Sequence, residues 1–208
     1  MKKVYLTILT LLIMAIQPLF AVSGIGLKFN RTGTDASSVT ITVVDENGVA
    51  IDGASATMTS THDFKPSGNA ITSEIVCPNA NANTSPTIEL VFTINGIPAG
   101  LSFDKLGLDI HALNGASNYQ EPADGVTRQW NVASTVDGAE FGSLNDIDIA
   151  AGVGTSSNVH KIWDITGTTV NADGSVTVKL TITKGTTNGG CFFGLGGITL
   201  STAGEEPE

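Results

Sequence analysis

Beyond its N-terminal region, the chain is a succession of short segments in which apolar and polar residues alternate. The clearest segment is 176–183, where Val, Leu or Ile at every second position alternates with Thr or Lys. Such alternation is typical of a strand that buries one face, and no segment has the period of an amphipathic helix. The same pattern predicts further strands at 38–44, 49–51, 54–60, 71–77, 87–94, 105–111, 127–132, 144–150, 159–165 and 192–200.

Turn sequences separate these segments. Asn47 and Gly48 follow one strand, Asp173 and Gly174 precede another, and such pairs accept the positive φ of a tight turn. Residues 78–86, which are rich in Asn, Ala and Ser, predict a loop. About 10–11 short strands joined by turns are typical of an all-β fold built from two packed sheets. We therefore predict a two-sheet antiparallel β-sandwich that is jelly-roll-like.

The N-terminal segment has the organisation of a secretory signal peptide. Lys2 and Lys3 precede an apolar run from Val4 to Ile16, and small residues follow near Ala21. The run is shorter than the ~20 apolar residues that span a bilayer. We predict a signal peptide over residues 1–21, a bacterial protein that is secreted or at the cell surface, and no membrane span in the mature chain.

The remaining sequence divides into one domain and a short tail. The strand pattern runs over residues 24–201, which is long enough for a single hydrophobic core. Residues 202–208 contain three Glu and one Pro and predict an acidic linker or a loose C-terminal tail. Such a tail indicates a domain that is fused to, or associated with, a larger surface protein.

Composition and charge exclude several classes of partner. Charged residues make up 14% of the chain, below the roughly 25% of an average globular domain. Twenty acidic residues against ten basic ones give a net charge of −10. Because a negative protein repels phosphate groups, we predict no nucleic-acid partner and no attraction to anionic membranes.

The sequence contains no established catalytic motif. The Gly-rich run 185–197 lacks the Gly-Lys-Ser/Thr ending of a phosphate-binding loop, and neither Gly-x-Ser-x-Gly nor His-Glu-x-x-His occurs. Asp146 and Asp148 would share one face of a strand about 7 Å apart, which permits a glycosidase pair but is also usual for solvated carboxylates. We therefore predict that the protein is not an enzyme.

Two structural questions stay open at the level of sequence. An exported protein permits a disulfide between Cys77 and Cys191, and the alternative is two separate buried thiols. The acidic residues and the turn 171–174 would suit a structural calcium ion, which prefers oxygen ligands. No metal ligands follow from the sequence, and we predict no cofactor beyond such a calcium ion.

The C-terminal region resembles the end of carbohydrate-binding modules with a jelly-roll fold. It contains a late strand, Ser175–Thr183, then a Gly-rich turn and a closing strand, Phe193–Leu200. Gly196 and Gly197 stand where such modules often carry an acidic residue. Residues 39–59 are also similar to β-sandwich modules of secreted bacterial surface proteins. The resemblance implies a secreted, non-catalytic module that binds a glycan or a cell-surface polysaccharide.

Candidate ligand-binding residues cluster in one segment that combines aromatic and polar side chains. Glycans are held by aromatic rings against their C–H faces and by polar groups on their hydroxyls, largely from loops. The predicted ligand-binding residues are His111, Asn118, Tyr119, Gln120, Glu121, Arg128 and Trp130. For Trp130 the alternative is a place in the core. The alternative function is a structural or adhesive surface domain that mediates protein interaction or spacing.

Overall fold

Ten β-strands form the part of the chain that the computed structural model describes, which is residues 23–65, 72–113, 128–137, 139–149, 158–186 and 191–202. The strands are β1 (Gly24–Arg31), β2 (Val39–Asp45), β3 (Ser55–Ser60), β4 (Thr87–Asn95), β5 (Ser102–Leu113), β6 (Arg128–Val136), β7 (Ala139–Ile149), β8 (Asn158–Thr169), β9 (Val176–Lys184) and β10 (Phe192–Ser201). Two single-turn 3₁₀ helices occupy Ala36–Ser38 and Ala82–Thr84. The predicted signal peptide, and the predicted tail after residue 202, lie outside the described residues.

The strands form two five-stranded antiparallel sheets. The first sheet has the order β2-β1-β10-β5-β8 and the second has the order β3-β4-β9-β6-β7. If β2 and β3 are left out, the remaining eight strands can be renumbered from 1 to 8 along the chain. In these numbers the first sheet has the order 1-8-3-6 and the second sheet has the order 2-7-4-5. These are the two sheets of a jelly roll, in which β2 and β3 each add an edge strand. The predicted fold class is confirmed.

The core lies between the sheets and follows from the alternation of the strands. In β9 the side chains of Val176, Val178, Leu180 and Ile182 are fully buried, whereas the intervening polar residues reach solvent. Burying each such side chain contributes roughly 1.5–3 kcal/mol. Phe29 of the first sheet stacks on Phe92 of the second at 5.8 Å between ring centroids, which joins the two layers.

The structure corrects three elements of the predicted strand pattern. Residues 49–51 make only one bridge, between Ala50 and Val44, because turns at 46–48 and 52–53 enclose them. Of the predicted strand 71–77, the described residues 72–77 form a turn and irregular chain, and they join β10 through the bridge between Val76 and Leu195. The sequence pattern missed β1, because its outward positions begin with two glycines instead of strand-forming residues.

Cys77 and Cys191 are both buried, and neither is part of a disulfide. The structure therefore has the second of the two predicted alternatives, separate thiols. Cys77 packs with Leu113 and Phe192 in a small cluster at one end of the sandwich, whereas Cys191 belongs to the main core. Burial raises the pKa of Cys77 to about 12, against the opposite influence of Arg31 and Lys65.

We expect the native protein to resist thiol alkylation. The thiolate is the reactive form, and a pKa of about 12 leaves roughly a thousandth of the usual thiolate fraction on Cys77 near pH 8. Mass spectrometry after iodoacetamide treatment should find no modified cysteine in the native protein and two in the denatured protein. Denatured protein that reacts only after a reductant is added would show instead that the thiols are bridged.

Candidate functional site

The candidate site is a groove on the outer face of the first sheet. On each strand of this sheet, one set of alternate residues is buried in the core and the other faces outward. Pairing between neighbouring strands aligns the outward residues into rows that cross the sheet. The central row runs, from β2 to β8, through Val44, Gly26, Thr199, Gly107 and Ile162.

Small residues make the floor of this groove. Gly26 of β1 pairs with Thr199 of β10, and both line the groove. Gly107 pairs with Thr199 from β5 but is buried and is not part of the lining. A Cβ atom at position 26 would lie 3.0 Å from Cγ2 of Val44, so this glycine also leaves room for the Val44 side chain on β2. The Thr199 hydroxyl is buried at the floor and has no hydrogen-bond partner among the described residues.

The next row places a cation and a carboxylate on either side of a glycine. Gly197 pairs with Lys28 of β1 and with Asp109 of β5. Because strands are about 4.8 Å apart, the backbones of Lys28 and Asp109 are separated by about 10 Å. A Cβ atom at position 197 would lie 2.9 Å from Oδ2 of Asp109, so the carboxylate lies directly over Gly197.

Gly196 has a related role beside His111. The pairing of β10 with β5 shifts by one residue between Leu195 and Gly197, which leaves Gly196 as the extra residue of a bulge. A Cβ atom at Gly196 would lie 2.9 Å from Nε2 of His111. The two glycines therefore make space for side chains of β5. The acidic group beside these two glycines therefore comes from Asp109 on the neighbouring strand β5, and not from β10 itself.

The turn after β2 forms one wall of the groove. The Asp45 carboxylate accepts hydrogen bonds from the backbone N–H groups of Asn47 and Val49, both at 2.9 Å, and this holds the turn closed. Gly48 has a φ of +76°, and its carbonyl oxygen accepts a hydrogen bond of 3.4 Å from Nζ of Lys28. This contact ties the wall to β1.

The groove has a volume of about 560 Å³, which is within the range of small-molecule sites. Its charged lining consists of one cation, Lys28, and three carboxylates, Asp45, Glu46 and Asp109. No aromatic ring is among the described residues that line it. Stacking of a ligand on an aromatic side chain is therefore not provided by the described lining of this groove.

Of the predicted ligand-binding residues, the side chains of His111 and Trp130 are described, and these two lie in different parts of the fold. His111 is half-buried on the outer face of the first sheet, two residues beyond Asp109 on β5, and it lies beside Gly196. Arg128 begins β6 in the second sheet, and its side chain is outside the described part of the structure. The predicted residues between them, Asn118, Tyr119, Gln120 and Glu121, fall in the range 114–127, which is also outside the described residues.

Trp130 is a core residue, and its predicted place in a ligand site is wrong. Its side chain has no exposed surface, and its ring meets Phe193 edge-on at 5.8 Å between centroids. The sugar-stacking role requires an accessible ring face, which this indole lacks. The alternation within β6 does not decide whether Trp130 faces the core or the solvent. The packing of the second sheet on the first places the Trp130 ring in the core, and this excludes the predicted role.

The groove residues that the sequence did not predict come from strands that are distant in the chain. Lys28 and Gly26 belong to β1, Thr199 belongs to β10, and Asp109 belongs to β5. The alternation of Lys105, Gly107, Asp109 and His111 correctly places these residues on one face of β5. The sequence did not indicate which strands pair with β5, and therefore which side chains share its outer face.

No metal cluster of three or more His, Cys, Asp or Glu side chains occurs in the described part of the chain. In the turn 171–174, the Asp173 carboxylate instead accepts hydrogen bonds from the hydroxyl and the backbone N–H of Ser175, at 2.6 and 3.0 Å. These bonds lower the pKa of Asp173 and hold the turn closed. Asp146 and Asp148 lie on β7, and their side chains are outside the described part.

No helix among the described residues is long and apolar enough to cross a membrane.

The sequence matches no known protein family, and no curated protein is significantly similar to it. Among solved structures, the carbohydrate-binding module TmCBM61, in complex with β-1,4-galactotriose, is 11% identical with a TM-score of 0.34, over 72% of this chain and 89% of that one. The Agl-KA catalytic domain is 12% identical with a TM-score of 0.34, over 56% of this chain and 21% of that one. The arabinose-bound α-L-arabinofuranosidase MgGH51 is 14% identical with a TM-score of 0.32, over 73% and 22%. These TM-scores are too low to indicate a function. The function proposed below is therefore based on the groove.

Proposed function

We propose that the protein is a non-catalytic module that binds a glycan in the groove on the first sheet. The observation that carries this proposal is the glycine lining of the groove, which includes Gly24 and Gly26 at successive outward positions of β1 and Gly197 of the neighbouring strand β10. Glycine within a strand lowers stability by roughly 0.5–1 kcal/mol relative to alanine. Glycines at adjacent outward positions are therefore unfavourable for the sheet, and they suit a ligand that must approach the backbone closely.

The polar groups around this floor match the chemistry of sugar hydroxyls. A hydroxyl both donates and accepts hydrogen bonds, so a site for several hydroxyls needs donors and acceptors side by side. Lys28 supplies a donor and Asp109 supplies an acceptor across Gly197, while the Asn47 amide in the wall supplies both. An exported protein, as the N-terminal sequence predicts, would meet polysaccharides outside the cell.

We expect Gly26→Leu to weaken glycan binding at least about tenfold, because the new side chain projects into the groove over its floor. The matched control is Thr181→Leu, which adds a similar side chain to the outer face of β9 in the second sheet. A glycan array followed by calorimetric titration of the best ligand measures the effect, and circular dichroism verifies that both variants fold.

Binding that survives in Gly26→Leu would place the ligand elsewhere on the protein and reject the groove. A folded protein that binds no glycan on the array would reject the proposed function and favour a structural or adhesive domain.

A further inference from the structure

The floor of the groove is longer along the strands than across them. It follows residues 24–28 of β1 and 197–201 of β10, which pair with each other throughout. Four residue steps along a strand cover about 13 Å, whereas two neighbouring strands lie only about 4.8 Å apart. A ligand that uses the whole floor is therefore extended and lies parallel to β1 and β10.

The wall on the β2 side follows the same direction. It begins at Asp45, which pairs with Ile25 of β1, and it reaches Gly48, whose carbonyl oxygen accepts the hydrogen bond from Lys28. Between these points the side chain of Val44 lies against Gly26. A chain that crossed the strands would meet this wall beyond β1, whereas a chain along the strands runs beside it.

Polar side chains occur at three successive levels along the floor. The hydroxyl of Ser201 belongs to the first level, the hydroxyl of Thr199 to the second and the ammonium group of Lys28 to the third. Outward positions on one strand are about 6.6 Å apart, so each level offers a polar group to a different sugar unit of an extended chain.

We infer that the groove binds a linear oligosaccharide segment of about three sugar units, aligned with β1 and β10. This inference rests on the proposed function and names the form of its ligand. The volume of about 560 Å³ is within the range that holds drug-sized ligands, and a trisaccharide is a ligand of that size. A single sugar would use one of the three levels, and units beyond the third would extend past the described lining.

The test is a series of chain lengths. The protein is titrated calorimetrically with oligosaccharides of one to six units from linear β-1,4-glucan, β-1,4-mannan, β-1,4-xylan and α-1,4-glucan. In the series that binds, we expect the affinity to rise about tenfold with the second unit and about tenfold again with the third, because each unit adds hydrogen bonds. Further units should change it less than about twofold.

A variant at one end of the floor tests the alignment. Lys28→Ala removes the polar group of the third level, so the advantage of the trisaccharide over the disaccharide should fall from about tenfold to about twofold. The disaccharide should bind as before, because it can occupy the other two levels. Lys28→Arg keeps a donor there and should retain the advantage.

The matched control is Lys179→Ala. It removes the same side chain from the outer face of β9 in the second sheet, where Lys179 pairs with Glu89 at 2.6 Å. We expect it to leave the advantage of the trisaccharide unchanged, and circular dichroism verifies that all three variants fold.

The outcomes separate the two proposals. A monosaccharide that binds as tightly as the trisaccharide, an affinity that still rises beyond four units, or an advantage that Lys28→Ala leaves intact would overturn the three-unit alignment while glycan binding stands. Binding of no oligosaccharide, or binding that Gly26→Leu does not weaken, would overturn the groove as a glycan site and the alignment with it.

Discussion

Replacing Trp130 with alanine is expected to destabilise the protein by roughly 3–5 kcal/mol. The indole is fully buried between the sheets and packs edge-on against Phe193, so its removal leaves a large apolar cavity. In thermal denaturation this corresponds to a fall in Tm of about 10 °C for a chain of this size. Urea denaturation, followed by far-UV circular dichroism, measures the change in the free energy of unfolding.

Trp130→Phe is the matched control. The Trp130 Nε1 group is buried without a hydrogen-bond partner among the described residues, so phenylalanine removes an unsatisfied donor while it keeps an aromatic ring. We expect a loss of only about 1–2 kcal/mol and unchanged glycan binding. If Trp130→Ala leaves stability unchanged and removes glycan binding, the indole is a surface platform and the core position is wrong.

Replacing Arg31 with methionine is expected to stabilise the protein by about 2 kcal/mol. Arg31 is 2% exposed at the end of β1, and none of its three guanidinium nitrogens has a hydrogen-bond partner among the described residues. Burial lowers the pKa of Arg31, since the charged form has lost its hydration, and the neighbouring Cys77 only partly opposes this. Methionine fills a similar volume with no charge, so it removes the desolvation penalty.

The charge is separated from the side-chain volume by a second variant, Arg31→Lys. Lysine keeps the positive charge in the same surroundings, so we expect no stabilisation from it. Urea denaturation of the three proteins, at the same pH and salt, gives the comparison. A destabilised Arg31→Met variant would contradict the burial of a charge that has no partner among the described residues, and would mean that the guanidinium group has a partner in solution.

Local pattern accounts for the parts of the site that lie within one strand. The alternation in β5 places Gly107 and Asp109 on one face and Leu106 and Leu108 in the core, as observed. A strand has a period of two residues, so this assignment needs no knowledge of its neighbours. The same pattern failed at β1, because Gly24 and Gly26 hide the polar half of its alternation.

The ligand-site prediction failed for Trp130, because it grouped this residue with His111 on the ground that the two are close in sequence. His111 lies on the outer face of the first sheet, whereas Trp130 lies between the sheets. The chain passes from one sheet to the other between β5 and β6, so neighbours in sequence are separated by the core. The groove instead combines residues from β1, β5 and β10.

The sequence by itself determined that this chain is acidic, rich in strands and built as a β-sandwich, because charge and side-chain alternation are local properties. Tertiary structure alone decided that Gly26, Thr199 and Gly107 meet in one row. They come from opposite ends and the middle of the chain, and only the pairing of β10 between β1 and β5 makes them neighbours. Strand pairing over such distances depends on how the two sheets close around one core, which no local pattern encodes.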